Sequence, residues 1–310
     1  MGVAQESSYF WDGRATTLEM QVRQVVLNPA EFGPQSESNL VLRLARDRRY
    51  ANAFGRLFPA APRPISLATI SRAIAAYERT LAPGKSPFDQ YFYEGEKDAI
   101  SAAATRGFEL FRGRAHCASC HKIGDRASPL SDGLFHVSPV RLSAAADRDL
   151  AEITRTLAAA RATKLKVTGL ISTDPEIASL GRFVVTLQPA DIGRFKTPSL
   201  RNVAVTGPYM HDGSVGSLRD AVELELYSRK NGQLRPIVLS DAQIEDMIEF
   251  LRSLTSPFEA STVSARPNPP PPATAKRRRL PKTLVKRTIC CGQMPAMPQP
   301  ISALPERSNR

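Results

Sequence analysis

The sequence predicts a mainly α fold. Several segments place apolar residues at helical spacing behind Ser or Thr caps. Almost no stretch alternates apolar and polar residues as a strand does, and Gly/Pro-rich stretches punctuate the chain. The first helix follows Asp12: Thr16-Thr17-Leu18-Glu19 reads as its start, and Leu18, Val22, Val25 and Val26 share one face. Asn28-Pro29 ends it, because the residue before a proline is pushed out of the helical region. A second helix is expected over Leu40–Arg46. A third is expected over Leu67–Leu81, with Ser66 as cap and Ile70, Ile74 and Tyr77 at helical spacing. Pro83, Gly84 and Pro87 then mark a turn.

A new unit begins near Asp98. Ala102–Phe111 reads as a helix leading into Cys117-Ala118-Ser119-Cys120-His121. Residues 125–148 read as loop, and Asp149–Ala162 and Asp174–Leu180 as short helices. Residues 187–217, rich in Gly, Pro, Asp and Asn, read as an ordered functional loop. Ser240 then caps a last helix with Ile244, Met247, Ile248, Leu251 and Leu254 on one face.

The 310 residues suffice for a sizeable core, and 42% hydrophobic content is ordinary for a folded domain. The formal charge of +12 is unevenly placed. Residues 258–310 hold ten Lys/Arg and two Asp/Glu, five prolines between 266 and 272, and the basic run Lys276-Arg277-Arg278-Arg279. That composition buries too little apolar surface to fold, so it reads as a disordered basic tail. The body is only mildly basic, which excludes a nucleic-acid reading of the whole chain. No apolar run approaches the roughly 18 residues of a membrane span. The N-terminus has no basic region followed by an apolar stretch, so no signal peptide is read there.

Cys117-x-x-Cys120-His121 is the attachment pattern of a c-type haem. Two thiols three residues apart reach two vinyl groups at one edge of a porphyrin, and the next residue projects toward the iron. A redox Cys-x-x-Cys would need a βαβ setting, which is not seen. A zinc site would need a second ligand pair, and Cys290-Cys291 are adjacent and lie in the tail. A Met as sixth ligand raises the iron potential and suits electron transfer. Met210 lies in the turn-rich stretch Thr206-Gly207-Pro208-Tyr209-Met210-His211-Asp212-Gly213, with His211 as a rival. Spacing alone gives Met210 a modest preference.

Five blocks of residues carry a family resemblance, in order along the chain. They are Phe10-Trp11-Asp12-Gly13-Arg14-Ala15 with Leu18-Glu19-x-Gln21 and Asn28-Pro29-x-Glu31-x-Gly33; Ala75-x-Tyr77-Glu78-Arg79-Thr80-Leu81 with Ser86-Pro87-Phe88-Asp89; Gly107-x-x-Leu110-Phe111-x-Gly113; the haem motif itself; and Gly193-x-Phe195-Lys196-Thr197-Pro198-Ser199-Leu200-Arg201-Asn202-Val203 running on to Ser214. Together they resemble the bacterial di-haem cytochrome c peroxidases and their MauG-like relatives over about residues 9–255. The resemblance implies two cytochrome-c-like helical domains, an N-terminal peroxidatic haem and a C-terminal electron-transferring one. It divides this chain into a remnant of the N-terminal domain (1–97), a C-terminal cytochrome c domain with one haem (98–257) and the tail (258–310).

By that resemblance His121 and Met210 are the axial ligands of the electron-transferring haem. Trp11 lies on the electron path between haems, and Gln21 and Glu31 assist peroxide cleavage at the peroxidatic haem. The resemblance further implies reduction of hydrogen peroxide with electrons from a small cytochrome c or copper protein, a periplasmic location and a homodimer. It also implies a calcium ion, for which backbone oxygens near Thr186 and Pro189 are the candidates. MauG-like members carry Tyr in place of Met210, which argues against a protein-oxidising role. The chain departs from the pattern in holding one Cys-x-x-Cys-His motif, so a second haem is expected only in a full-length relative. Covalent attachment outside the bacterial cytoplasm conflicts with the absent signal. The expectations are then a truncated or mis-started peroxidase or, less favoured, a mono-haem carrier.

Overall fold

Short capped helices build the chain in a computed structural model, which describes residues 6–32, 36–81, 84–124, 128–140, 150–162, 167–228 and 237–256. The expected tail, 258–310, lies outside the described residues. The helices are α1 (Leu18–Val26), α2 (Glu37–Arg46), α3 (Arg48–Leu57), α4 (Leu67–Thr80), α5 (Pro87–Tyr93), α6 (Ala102–Arg112), α7 (Leu150–Ala162), α8 (Val167–Thr173), α9 (Pro175–Ser179), α10 (Phe183–Thr186), α11 (Leu218–Ser228) and α12 (Asp241–Ser253). One antiparallel pair, β1 (Phe135–Val137) with β2 (Arg194–Lys196), sets His136 opposite Phe195.

The expected caps are present. Thr17 accepts from the Met20 amide, and Ser66 and Ser240 form capping boxes with Thr69 and Gln243. Each such cap contributes about 1 kcal/mol. Three expectations need correction. Pro87 does not mark a turn but is the first residue of α5, where its missing N–H costs nothing, behind a Ser86/Asp89 capping box. The loops expected over 125–148 and 187–217 contain the paired strands β1 and β2, each too short to show alternation. Tyr77 is 62% exposed, because the face of α4 that meets α1 is that of Leu67 and Ala75. The sequence reading also missed α3, whose sole buried residue is Phe54, and began α2 three residues late.

The cores follow from these elements. Leu18, Val22 and Val26 of α1 meet Leu67 and Ala75 of α4 in two small clusters. Ile153, Leu157, Ile177, Leu180, Phe183 and Val184 form a third cluster from α7 to α10. The largest cluster joins Phe88 of α5, Phe108 and Phe111 of α6, Leu226 of α11 and the buried face of α12. Phe88, Phe108, Phe111 and Phe250 stack in edge-on and tilted pairs at 4.9–5.3 Å between centroids. Helices α6 and α12 cross closely at Gly107, which fixes the floor on which the site is built.

Candidate haem centre

Helix α6 ends at Arg112, and the chain turns through Gly113–His116 with the Ala115 amide bonded back to the Leu110 carbonyl. Cys117–Ser119 then form a single 3₁₀ turn, and the His121 amide donates to the Cys117 carbonyl at 3.0 Å. The Cys-x-x-Cys-His segment is therefore a wound turn, as its spacing predicts. Cys117 is half-buried and Cys120 buried.

His121 Nδ1 lies 2.8 Å from the Leu130 carbonyl oxygen. A carbonyl can only accept, so Nδ1 carries the proton and Nε2 keeps the lone pair a metal needs. Leu130 itself has φ +55° and a fully buried side chain. A left-handed leucine costs about 1–2 kcal/mol, and such strain persists where the surroundings over-determine it.

An open cleft lies beside this turn, about 1130 Å³ with the solvent space at its mouth counted in. Its floor is Phe111, Met247 and Leu251, and Cys117 and His121 stand on its wall. Met210, His211 and Trp11 also line it. The structure thus brings together four of the predicted residues, Trp11, Cys117, His121 and Met210, with Cys120 buried at the base of the same turn. An apolar cleft with two thiols, a correctly tautomerised imidazole and a thioether fits a covalently held haem.

Met210 and Trp11 are presented by two turns of the same geometry. Tyr9 bridges Ala15, and Tyr209 bridges Val215. Phe10 and Met210 have φ +66° and +68°, and Gly13 and Gly213 have +68° and +69°. In each turn an Asp carboxylate accepts from the amide two residues on, Asp12 from Arg14 and Asp212 from Ser214, both at 3.0 Å. A Cβ on Gly13 would sit 2.4 Å from the Phe135 ring, so this turn packs directly on β1. Each turn leads into a helix, α1 or α11. The shared pattern Tyr-x-x-Asp-Gly is a short internal repeat that the sequence reading overlooked.

Asp132 and His136 also escaped the sequence reading. His136 Nε2 is 2.8 Å from the Asp132 carboxylate. Burial favours the neutral Asp132 acid, but the Leu134 amide and His136 outweigh it and hold the carboxyl below its usual range. The Cys120 sulfur, the Asp132 carboxylate and the His136 ring lie within 4.8 Å of one another. Lys196 is buried, and burial pushes its ammonium down to about 8. The Glu6 carboxylate and the Ser8 carbonyl at its Nζ oppose that push. The Lys196 amide donates to the Trp11 carbonyl at 2.8 Å, tying the Trp11 turn to β2. His211 stacks on Phe195 with centroids 3.7 Å apart, and its buried Nδ1 has no hydrogen-bond partner. Burial lowers its basicity, against the pull of Asp212.

Gln21 and Glu31 are not among the residues lining this cleft. Gln21 is half-buried on α1, and exposed Glu31 accepts from Asn28 Nδ2 at 2.7 Å. Near Thr186 and Pro189, the stretch expected to offer backbone oxygens to calcium, several groups have hydrogen-bond partners within the chain. The Thr186 hydroxyl donates to Asp191, the Pro189 carbonyl accepts from Ile192, and the Arg161 guanidinium already occupies the Val184 and Val185 carbonyls.

Residues 1–98 match the family model described as di-haem cytochrome c peroxidase. The methylamine utilization protein MauG of Methylorubrum extorquens is 30% identical over 272 residues, covering 86% of this chain and 66% of that protein. The cytochrome c peroxidase Ccp of Escherichia coli is 31% identical over 80% of this chain and 45% of its own length. The cytochrome c551 peroxidase of Pseudomonas aeruginosa is 31% identical over 80% and 61%. A crystal structure of a MauG-like protein associated with microbial copper homeostasis superposes with a TM-score of 0.60 at 27% identity, covering 81% of this chain and 72% of that one. The diheme peroxidase BthA of Burkholderia thailandensis shares the fold, with a TM-score of 0.59. The chain spans less than two thirds of the length of several curated relatives it matches. Motif, cleft and relatives agree: this chain belongs to the di-haem cytochrome c peroxidase and MauG family.

Proposed function

We propose that residues 98–257 form the electron-transferring haem domain of a peroxide-reducing enzyme, and that residues 1–97 are part of its peroxidatic domain. Cys117 and Cys120 would anchor the porphyrin, and His121 and Met210 would hold the iron. The observation that carries this reading is the 2.8 Å bond from His121 Nδ1 to the Leu130 carbonyl, on a cleft wall that Met210 shares. When bound, the haem supplies a one-electron ferric/ferrous couple, and a Met ligand favours the ferrous form. With the Cys120 sulfur taken up in a thioether, His136 on the cleft wall would remain paired with the Asp132 carboxylate. Phe111, Met247 and Leu251, which line the cleft, would keep water from a bound haem. Trp11, 39% exposed at the cleft, offers the aromatic route toward a second centre. Gln21 and Glu31 would serve that second centre, which would supply the peroxide chemistry.

The electron donor in this reading is a small cytochrome c or copper protein, and the family places the reaction in the periplasm. Among the described residues no helix is long and apolar enough to cross a membrane. A mono-haem electron carrier is the second reading, favoured by the single Cys-x-x-Cys-His in the chain. Peroxide turnover and haem content separate the possibilities. The matured chain is expected to accept electrons from a reduced small cytochrome c and to leave peroxide unreduced at its own haem. The same domain in a chain with two haems is expected to support turnover. Peroxide reduction by the matured chain at one haem refutes this division of roles.

A further inference from the structure

The Leu130 carbonyl is not held by the haem turn alone. The Ser128 hydroxyl donates to the Lys122 carbonyl at 2.9 Å and accepts from the Leu130 amide at 3.2 Å. It thus closes a loop directly beneath His121. The Ser128 carbonyl in turn accepts from Arg201 Nε at 2.8 Å. Arg201 is held on its other edge by Asp89, Nη1 to Oδ2 at 2.5 Å and Nη2 to Oδ1 at 2.7 Å. Ser86 completes the set: its amide and its hydroxyl both reach Asp89 Oδ2 at 2.8 Å. Arg201, Asp89, Ser86 and Ser128 are all buried. A planar guanidinium using one edge for a carboxylate and the third nitrogen for a carbonyl fixes that carbonyl in direction as well as distance.

We propose that Asp89 and Arg201 are positioning residues for the iron: through Ser128 they fix the strained Leu130 carbonyl on His121 Nδ1, and so set the reduction potential. The inference rests on His121 being the proximal ligand. The chemistry has a definite sign. A strong hydrogen bond from Nδ1–H gives the ring imidazolate character, makes Nε2 more basic and favours ferric iron. Slackening the carbonyl therefore raises the potential. The network spans α5, the 128–130 loop and the segment before the Val203–Val205 turn, three stretches of chain that meet only in the folded protein.

The test is a spectroelectrochemical titration of the matured holo-protein. Arg201→Lys keeps the charge and loses the fork. Ser128→Ala removes only the hydroxyl between Lys122 and Leu130. Both are expected to shift the ferric/ferrous equilibrium toward ferrous iron by at least roughly threefold, about 28 mV at 59 mV per tenfold. Thr17→Ala, which removes a cap on α1, is expected to melt earlier at an unchanged potential. Should Arg201→Lys fail to fold, Asp89→Glu, which keeps the carboxylate but displaces the fork, decides in its place. Wild-type potentials in the variants that fold, with Ser128→Ala among them, overturn the proposal. His121→Ala checks the underlying reading separately. A wild-type haem spectrum in that variant removes the ligand assignment, whereas its loss alongside unmoved potentials removes only the positioning role.

Discussion

Replacing Gly107 by Ala tests how the site's floor is built. An ideal Cβ there would lie 1.9 Å from the Asp246 carbonyl oxygen, 2.5 Å from its carbon and 2.9 Å from the Met247 nitrogen. An ordinary carbon–oxygen approach is roughly 3.3 Å, so α6 and α12 must part by roughly 1.4 Å. All three obstacles are backbone, so no rotamer change relieves them. A gap of 0.5–1 Å already forfeits about a quarter to a half of the dispersion well of each contact. Phe108, Phe111, Met247 and Leu251, all at most 5% exposed, lose packing together. Overpacking of this kind costs about 3 kcal/mol at the upper end of its usual range. Alanine's better helix propensity offsets about 1 kcal/mol. The net expectation is about 2 kcal/mol, or roughly 4–8 °C in Tm for a folded region of this size. Gly55 on α3 is the control, because a Cβ there meets nothing within 4 Å. Thermal melts of the matured protein followed by circular dichroism should show Gly107→Ala falling and Gly55→Ala level or higher. A Gly107→Ala protein that melts at or above the wild-type temperature refutes the close crossing.

Met210→Ala should lower the haem midpoint potential and abolish the absorption of a thioether-bound ferric iron; an unchanged potential would pass the sixth position to His211 or another group. Asp89→Asn tests the buried pair through pH. Burial raises the Asp89 carboxyl, but hydrogen bonds from Arg201 and Ser86 outweigh it and hold it below the usual carboxylate range. A carboxylate with a depressed folded pKa contributes stability that is complete above its unfolded value and is lost as pH falls below it. Wild-type protein should therefore lose stability below about pH 3.8 more steeply than Asp89→Asn, and the variant should be weaker near neutrality by about 3–5 kcal/mol, as for a broken buried pair. Parallel acid limbs in the two proteins would contradict the role given to Asp89.

The legible parts of this molecule are those whose physics is local. Cys117, Cys120 and His121 announce a haem because attachment needs fixed spacing along one turn. Helices α4 and α12 are readable because Ser66 and Ser240 cap clear apolar stripes. What stayed hidden depends on contacts between distant segments. Nothing local marks Leu130 as a left-handed residue whose carbonyl orients His121, because leucine is a poor resident of that region. Arg201 and Asp89 stand in the family blocks, yet their pairing is visible only in the fold. Gly107 stands there too, and only the Asp246 carbonyl gives it a reason. The one overlooked feature within reach was the repeat of Tyr9-x-x-Asp12-Gly13 at Tyr209-x-x-Asp212-Gly213, which places Phe10 where Met210 stands in the second turn.

The central claim is a single haem, covalently held at Cys117 and Cys120. Intact mass and peptide mapping of the chain matured with a c-type haem attachment system test it most directly. The account predicts one haem per chain, carried on the peptide containing residues 117–121 and absent after Cys117→Ala with Cys120→Ala. A matured chain with no covalent haem, or with its haem on any other peptide, contradicts it.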